Sequence, residues 1–176
     1  DKPFEGKSMV MIFEKPSTRT RISFDIAVKQ LGGSSIFLNP EGIHYGKGDE
    51  TLKDTAKVLS EYADIIMLRT SSHENLEEFG KHLNIPIING LSDQSHPCQV
   101  LTDLFSLEEA KGSISGKNVA WLGDGNNNMS NSLIEAAGKF DFKLKIGCPN
   151  KYKPNKKIMT WAKKNKANVL VTDNPA

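Results

Sequence analysis

The chain has 176 residues, 38% of them hydrophobic and 25% charged, and a formal net charge of +2. That balance fits a soluble globular protein of one sizeable domain, or one and a half small ones, and gives no charge-based argument for nucleic acid or a membrane surface. The two cysteines, Cys98 and Cys148, stand fifty residues apart without a CxxC pair, which excludes a disulfide framework and a zinc site of the usual spacing.

No apolar run approaches the roughly 18 residues of a membrane helix, and the opening Asp1-Lys2-Pro3-Phe4-Glu5 has no signal-peptide pattern. A reducing, cytoplasmic setting is the expectation. The chain starts without methionine and stops directly after a strand-like run, so it reads as a fragment of a longer protein.

Strand and helix patterns alternate along the chain. Ser8 to Phe13 reads as a strand, and Thr20 to Leu31 as a helix with Ile22, Phe24, Ile26, Ala27 and Leu31 as its apolar stripe, closed by Gly32-Gly33. Ser34 to Leu38 is strand-like, and Glu41 to Glu50 is a glycine-rich loop. Thr51 to Tyr62 reads as a helix with Leu52, Ala56, Leu59 and Tyr62 on one face. Then come strand Asp64 to Leu68, helix His73 to Leu83, strand Pro86 to Ile88 and helix Pro97 to Ala110. Small residues from Gly112 to Gly116 suggest a linker, dividing the chain into domains 1–112 and 113–176. A second cycle follows: strand Asn118 to Leu122, helix Asn128 to Phe140, strand Lys143 to Ile146, helix Lys156 to Lys166 and strand Asn168 to Val171. The pattern predicts an α/β protein of two similar domains, the second incomplete, each a parallel sheet with helices on both faces.

Ligands in such folds sit at the carboxyl ends of the strands. After the first strand comes Glu14-Lys15-Pro16-Ser17-Thr18-Arg19-Thr20-Arg21. Ser17 is a candidate N-cap, and the N–H groups and dipole of a helix start favour an anion. Ser17, Thr18 and Thr20 add hydroxyls, and Arg19 and Arg21 add guanidinium forks suited to phosphate oxygens. The bland alternative is a capped helix with solvated arginines. Against it, basic residues in a first helical turn oppose the dipole and call for an anion.

Arg69 follows the strand Asp64 to Leu68, at the same edge of the sheet. His96-Pro97-Cys98-Gln99 opens the helix after the fourth strand, with Pro97 at its first position and Ser95 or His96 as cap. A neutral histidine can donate to a carbonyl oxygen, and a glutamine amide can donate to an oxygen or accept from an NH2. Three strand ends each offering a donor argue for one joint site. Gly123-Asp124-Gly125-Asn126-Asn127-Asn128 resembles a dinucleotide turn, but Asn128 stands where the third glycine belongs. Its amides suit an amino-acid backbone, or simply a polar helix cap. The seven lysines from Lys151 to Lys166 read as a solvated helix face. Cys98 beside His96 does not read as a thiol nucleophile, because residues two apart at a helix start diverge in direction.

Taken together, Phe13 to Arg21 resembles the carbamoyl-phosphate signature of the aspartate and ornithine carbamoyltransferase family. His96-Pro97-Cys98-Gln99 with Leu101-Thr102-Asp103-Leu104 resembles its second signature, and Gly123 to Ser132 resembles its ornithine branch. The resemblance runs from about residue 4 to the end. It implies a transfer without cofactor or metal, in which the δ-amine of L-ornithine attacks the carbonyl carbon of carbamoyl phosphate, releasing phosphate and forming L-citrulline. By motif match, Ser17, Thr18, Arg19 and Thr20 hold the phosphate, and Arg69 bridges phosphate and carbonyl oxygen. His96 also donates to that oxygen, Gln99 holds the carbamoyl amide, Pro97 and Cys98 shape the turn, and Asn127 meets the amino-acid end of ornithine. With Arg19 as phosphate ligand, Arg21 becomes a supporting arginine.

The resemblance also implies a homotrimer in which the loop around His44 enters a neighbouring subunit's site. The family's leading helix, its later Asp-Ser-Met loop and its late His-Cys-Leu-Pro segment are not in the sequence, so the expectation is a carbamoyl-phosphate domain joined to about half of an ornithine domain. Competing readings are an aspartate acceptor, disfavoured by the amide-rich turn; a non-catalytic anion-binding module; and a nucleotide-binding dehydrogenase domain, disfavoured by the missing glycine.

Overall fold

The computed structural model describes residues 1–39 and 50–174. It divides into two compact units, Asp1–Asp93 and Gln94–Ala176. Among the described residues no helix is long and apolar enough to cross a membrane.

The first unit contains β1 (Ser8–Phe13), α1 (Thr18–Gln30), β2 (Ser34–Leu38), α2 (Leu52–Tyr62), β3 (Ile65–Arg69), α3 (His73–His82) and β4 (Ile87–Leu91). The strands form one parallel sheet in the order β2-β1-β3-β4. Helix starts follow from local capping chemistry. The side chains of Ser17, Thr51 and Ser72 accept from the backbone N–H groups of Thr20, Asp54 and Asn75.

Both faces of this sheet are covered, as the strand runs predict. Successive side chains point to opposite faces. Val10, Ile12, Ile66 and Leu68 form one core with Ala56 of α2 and Leu76 and Phe79 of α3. Met9, Met11, Phe13 and Met67 form another with Val28 of α1, and Phe24 packs against it. The same alternation carries Arg69 to the α1 side, two residues beyond Met67.

Two helix faces differ from their predicted stripes. On α1 the inward residues are Val28 and the half-buried Phe24, whereas Ile22 and Ile26 lie roughly half exposed. Both pairs have i,i+4 spacing, and the position of the sheet selects between them. On α2, Thr55 and Ala56 are buried and Tyr62 is exposed at the helix end.

The end of β4 bears on the site. The predicted strand stops at Ile88, but β4 continues to Leu91 with a register shift opposite β3: Leu68 pairs with Asn89 and Arg69 with Leu91. Gly90 is the extra residue of this irregularity. A Cβ there would overlap Met67 Sδ, and Met67 is fully buried. Glycine lets the bulge close against the strand that carries Arg69.

The second unit contains α4 (Pro97–Lys111), β5 (Asn118–Leu122), α5 (Asn128–Phe140), β6 (Lys143–Gly147), a 3-10 turn (Asn150–Tyr152), α6 (Lys156–Lys164) and β7 (Val169–Thr172). Its parallel sheet has the order β5-β6-β7. Val119, Trp121, Leu144, Ile146, Val169 and Val171 share one core with Val100 and Leu104 of α4, Ile134 of α5 and Ile158 of α6. The opposite face carries Ala120, Leu122, Lys143, Lys145 and Leu170, all exposed. Among the described residues, helices therefore cover both faces of the first sheet and one face of the second.

The segment from Gly112 to Gly116 is packed within this unit. Ile114 is buried in the core, and the N–H of Gly116 donates to Asp141 O at 2.7 Å. α6 stops at Lys164, short of the predicted Lys166, which has a positive φ of 56°.

Gly90→Ala is expected to lower stability by about 1–3 kcal/mol, the usual cost of overpacking a filled core. Urea denaturation provides the check, and an unchanged midpoint contradicts the packing argument.

Candidate active site

The parallel register of β1 and β3 pairs Phe13 with Arg69, so the chain leaving β1 passes the end of β3. The N–H of Glu14 donates to Arg69 O at 2.9 Å. Three residues later Ser17 adopts an extended conformation and caps α1. Its hydroxyl donates to Thr20 Oγ1 at 3.0 Å, and the N–H of Thr20 donates to Ser17 Oγ at 3.4 Å. Arg69 Nη1 reaches the same Thr20 Oγ1 at 3.4 Å. The first strand-to-helix turn and the end of the third strand are thus joined at one hydroxyl. Arg69 is the last residue of β3, where it was expected just after it.

The arginines of this corner, Arg19 and Arg69, have no ion-pair partner among the described residues. The first turn of α1 has no acidic residue. Arg69 Nε is buried without a hydrogen-bond partner. Burial, and then the nearby charge of Arg19, push the Arg69 guanidinium below its ordinary value, although arginine stays charged at neutral pH. Two like charges and a helix N-terminus around an unsatisfied donor are what an anion stabilises.

Glu14, the acid of the turn, is bound by the hydroxyl of fully buried Thr70. Thr70 Oγ1 also accepts from the N–H of Ser72 at 3.0 Å. This contact had no signal in the sequence, since a threonine after a strand is unremarkable until the fold places it beside Glu14. Arg21 reaches toward β2, with its Cζ 3.9 Å from the centroid of the Phe37 ring. A cavity of about 580 Å³ adjoins the cradle on that side, lined by Phe13, Pro16, Ile22 and Phe37 and sharing Ser17 and Thr18 with it. Thr18 and Arg19 are exposed. His44 lies outside the described residues.

In the second unit, His96 caps α4 through its backbone, without a side-chain cap bond, and Pro97 takes the first turn. Pro97 and Cys98 are half-buried. Burial pushes the Cys98 thiol up, which leaves it in the neutral form. Gln99 is exposed, and its Nε2 donates to Asp103 Oδ1 at 2.9 Å, one helical turn along. The turn before α4 is held by α5. The N–H of His96 donates to Ser132 Oγ at 2.8 Å, and Asn131 Nδ2 donates to Gln94 O at 2.9 Å.

Asn127 caps α5. Its Oδ1 accepts from the N–H groups of Met129 and Ser130 at 2.9 and 3.0 Å, and its Nδ2 donates to Asp124 O at 2.7 Å. In this arrangement both ends of the amide serve the turn. Gly125 is buried against the 3-10 turn, its N–H bonded to Tyr152 O at 2.9 Å. A Cβ at Gly125 would lie 2.9 Å from that oxygen. Its glycine serves a close approach of the chain to itself.

Comparison with known proteins accounts for both parts. Residues 1–109 match "Aspartate/ornithine carbamoyltransferase, carbamoyl-P binding domain", and residues 115–176 match "Aspartate/ornithine carbamoyltransferase, Asp/Orn binding domain". An ornithine carbamoyltransferase of Brucella ovis is 47% identical over 175 residues, covering 99% of this chain and 55% of the relative. The solved ornithine carbamoyltransferase of Pyrococcus furiosus superposes with a TM-score of 0.88 at 41% identity, covering 97% of this chain and 55% of that one. The catalytic subunit of the M. jannaschii aspartate transcarbamoylase superposes at 0.79 with 32% identity, covering 99% and 58%. The chain spans about half the length of the curated relatives it matches. With two consecutive domain matches along nearly its whole length, the chain belongs to the aspartate/ornithine carbamoyltransferase family.

Proposed function

We propose that the protein containing this chain is a carbamoyl transferase that moves the carbamoyl group of carbamoyl phosphate to the δ-amine of L-ornithine, giving L-citrulline and phosphate. The observation that carries this reading is the cradle of Ser17, Thr20 and Arg69, with the charge of Arg19 beside a buried, unsatisfied Arg69 Nε. The match of residues 1–109 to a carbamoyl-phosphate domain supports the same ligand.

In the proposed reaction Ser17, Thr18, Arg19 and Thr20 hold the phosphate oxygens. Arg69 spans phosphate and carbonyl oxygen. As the amine attacks, negative charge grows on that oxygen, and Arg69 and His96 donate to it. A C–N bond forms, the bond from carbon to the bridging oxygen breaks, and phosphate leaves into the positive corner with the proton that the amine gives up. Gln99 holds the carbamoyl NH2 through its Oε1, while its Nε2 donates to Asp103. Pro97 and Cys98 shape the turn. His44 joins the carbamoyl-phosphate ligands, and Asn127 addresses the ornithine backbone.

The functional division we assign is residues 1–112 for carbamoyl phosphate and 113–176 for part of the amine site. A homotrimer, a cytoplasmic setting and chemistry without cofactor or metal complete the reading. Ornithine is preferred to aspartate because the curated relatives at 46–47% identity carry that name, and because the turn at 126–128 holds three amides.

Arg19→Ala in the full-length protein is expected to weaken carbamoyl-phosphate binding by about 2–3 kcal/mol, the scale of a charge-assisted contact, roughly 30- to 150-fold in Kd. Calorimetry on a folded variant checks this, and an unchanged Kd removes Arg19 from the site. Offered ornithine, aspartate and putrescine with carbamoyl phosphate, the full-length protein is expected to form citrulline. Carbamoyl-aspartate as main product would transfer the reading to the aspartate branch, and binding without any turnover would leave an anion-binding module. The 176 residues alone are expected to turn over at least a hundredfold more slowly than the full-length protein, because only part of the amine site is present; near-normal citrulline formation refutes this.

A further inference from the structure

His96 belongs to the segment matching the carbamoyl-phosphate domain, whereas Asn131 and Ser132 belong to the segment matching the Asp/Orn domain. All three lie in one compact unit. The backbone on both sides of Ser95 is bound by α5: the Gln94 carbonyl accepts from Asn131 Nδ2 at 2.9 Å, and the His96 N–H donates to Ser132 Oγ at 2.8 Å. Ser95 is itself buried. Pro97, next in sequence, has no N–H and a fixed φ. The His96 backbone is therefore held from one side by α5 and from the other by the proline.

The seam is costly. Ser130, Asn131 and Ser132 are all buried on α5, in a helix whose other buried residues are Ile134, Ala136 and Ala137. Ser130 Oγ and Asn131 Oδ1 have no hydrogen-bond partner among the described residues. Buried polar atoms without partners reduce stability, and alanine at these positions would avoid that. What the seam achieves is the fixed backbone of the turn that carries His96.

We propose that Asn131 and Ser132 are positioning residues that aim His96, so that the first turns of the amine-domain helix set the geometry of the group polarising the carbamoyl carbonyl. This rests on the role assigned to His96 under the proposed function. It makes carbonyl activation depend on the amine domain through two backbone hydrogen bonds, with no contact from α5 to the carbamoyl group required.

The test uses the full-length protein. Ser132→Ala is nearly isosteric and removes the acceptor of the His96 N–H, and Asn131→Ala removes the donor to Gln94. Each is expected to lower kcat at least tenfold while leaving the Kd for inorganic phosphate within twofold, because the cradle of Ser17, Arg19 and Arg69 is untouched. His96→Gln should lower kcat as well, and Ser132→Ala added to it should cost little more, since residues acting through one group are not additive. Wild-type kcat in both folded single variants would overturn the proposal. So would an undiminished tenfold loss from Ser132→Ala in the His96→Gln background, which would mean that Ser132 acts elsewhere. If His96→Gln alone leaves kcat unchanged, the assignment of His96 fails first; if it lowers kcat while the α5 variants do not, only the positioning role fails.

Discussion

Two guanidinium groups and the positive end of α1 meet at one corner of the first sheet, without an acid in the helix's first turn. Like charges so placed repel, and burial of Arg69 increases the cost. The arrangement persists because the rest of the unit enforces it. The parallel pairing of Phe13 with Arg69 fixes the strand ends, the bulge at Gly90 ends the β3–β4 ladder, and the Ser17 cap fixes the start of α1. The Glu14 carboxylate is held by the Thr70 hydroxyl. A bound anion would relieve the repulsion, which is the physical basis of the phosphate site proposed above.

In the second unit the turn before α4 is held by polar side chains of α5. The core of this unit joins α4, α5 and α6 over one face of a three-stranded sheet. α4 matches the carbamoyl-phosphate domain by family, yet it packs through Val100 and Leu104 into the same core as α5. Family boundary and compact unit consequently fall at different places, near residue 112 and between Asp93 and Gln94. A long helix shared in this way ties the His96 turn at its N-terminus to the helix packed against it.

Much of this was legible from local signals. The cap at Ser17, the polar turn before α5, the proline before Cys98 and the short apolar runs each act within one turn or strand of themselves. They located nearly every element and the turn that gathers the hydroxyl and arginine side chains. The faces of α1 and α2 were less legible. Ile22 and Ile26 satisfy helical periodicity as well as Phe24 and Val28 do, and only contact with the sheet selects one stripe. The small-residue segment at Gly112–Gly116 resembled a linker, but Ile114 is drawn into the core by contacts with residues distant in sequence.

What the sequence determined by itself was the alternation of strands and helices, the identity of the hydroxyl and arginine donors, and the family they resemble, because those depend on spacing along the chain. What the tertiary structure decided was which donors meet. Thr20 and Arg69 are forty-nine residues apart and share a hydrogen bond only because β1 and β3 are neighbours in parallel register. His96 and Ser132 are thirty-six apart and meet only because α4 packs against α5. The physical reason is the same in both cases: a hydrogen bond is satisfied by whatever the fold brings within about 3 Å, and burial decides whether leaving it unsatisfied is affordable.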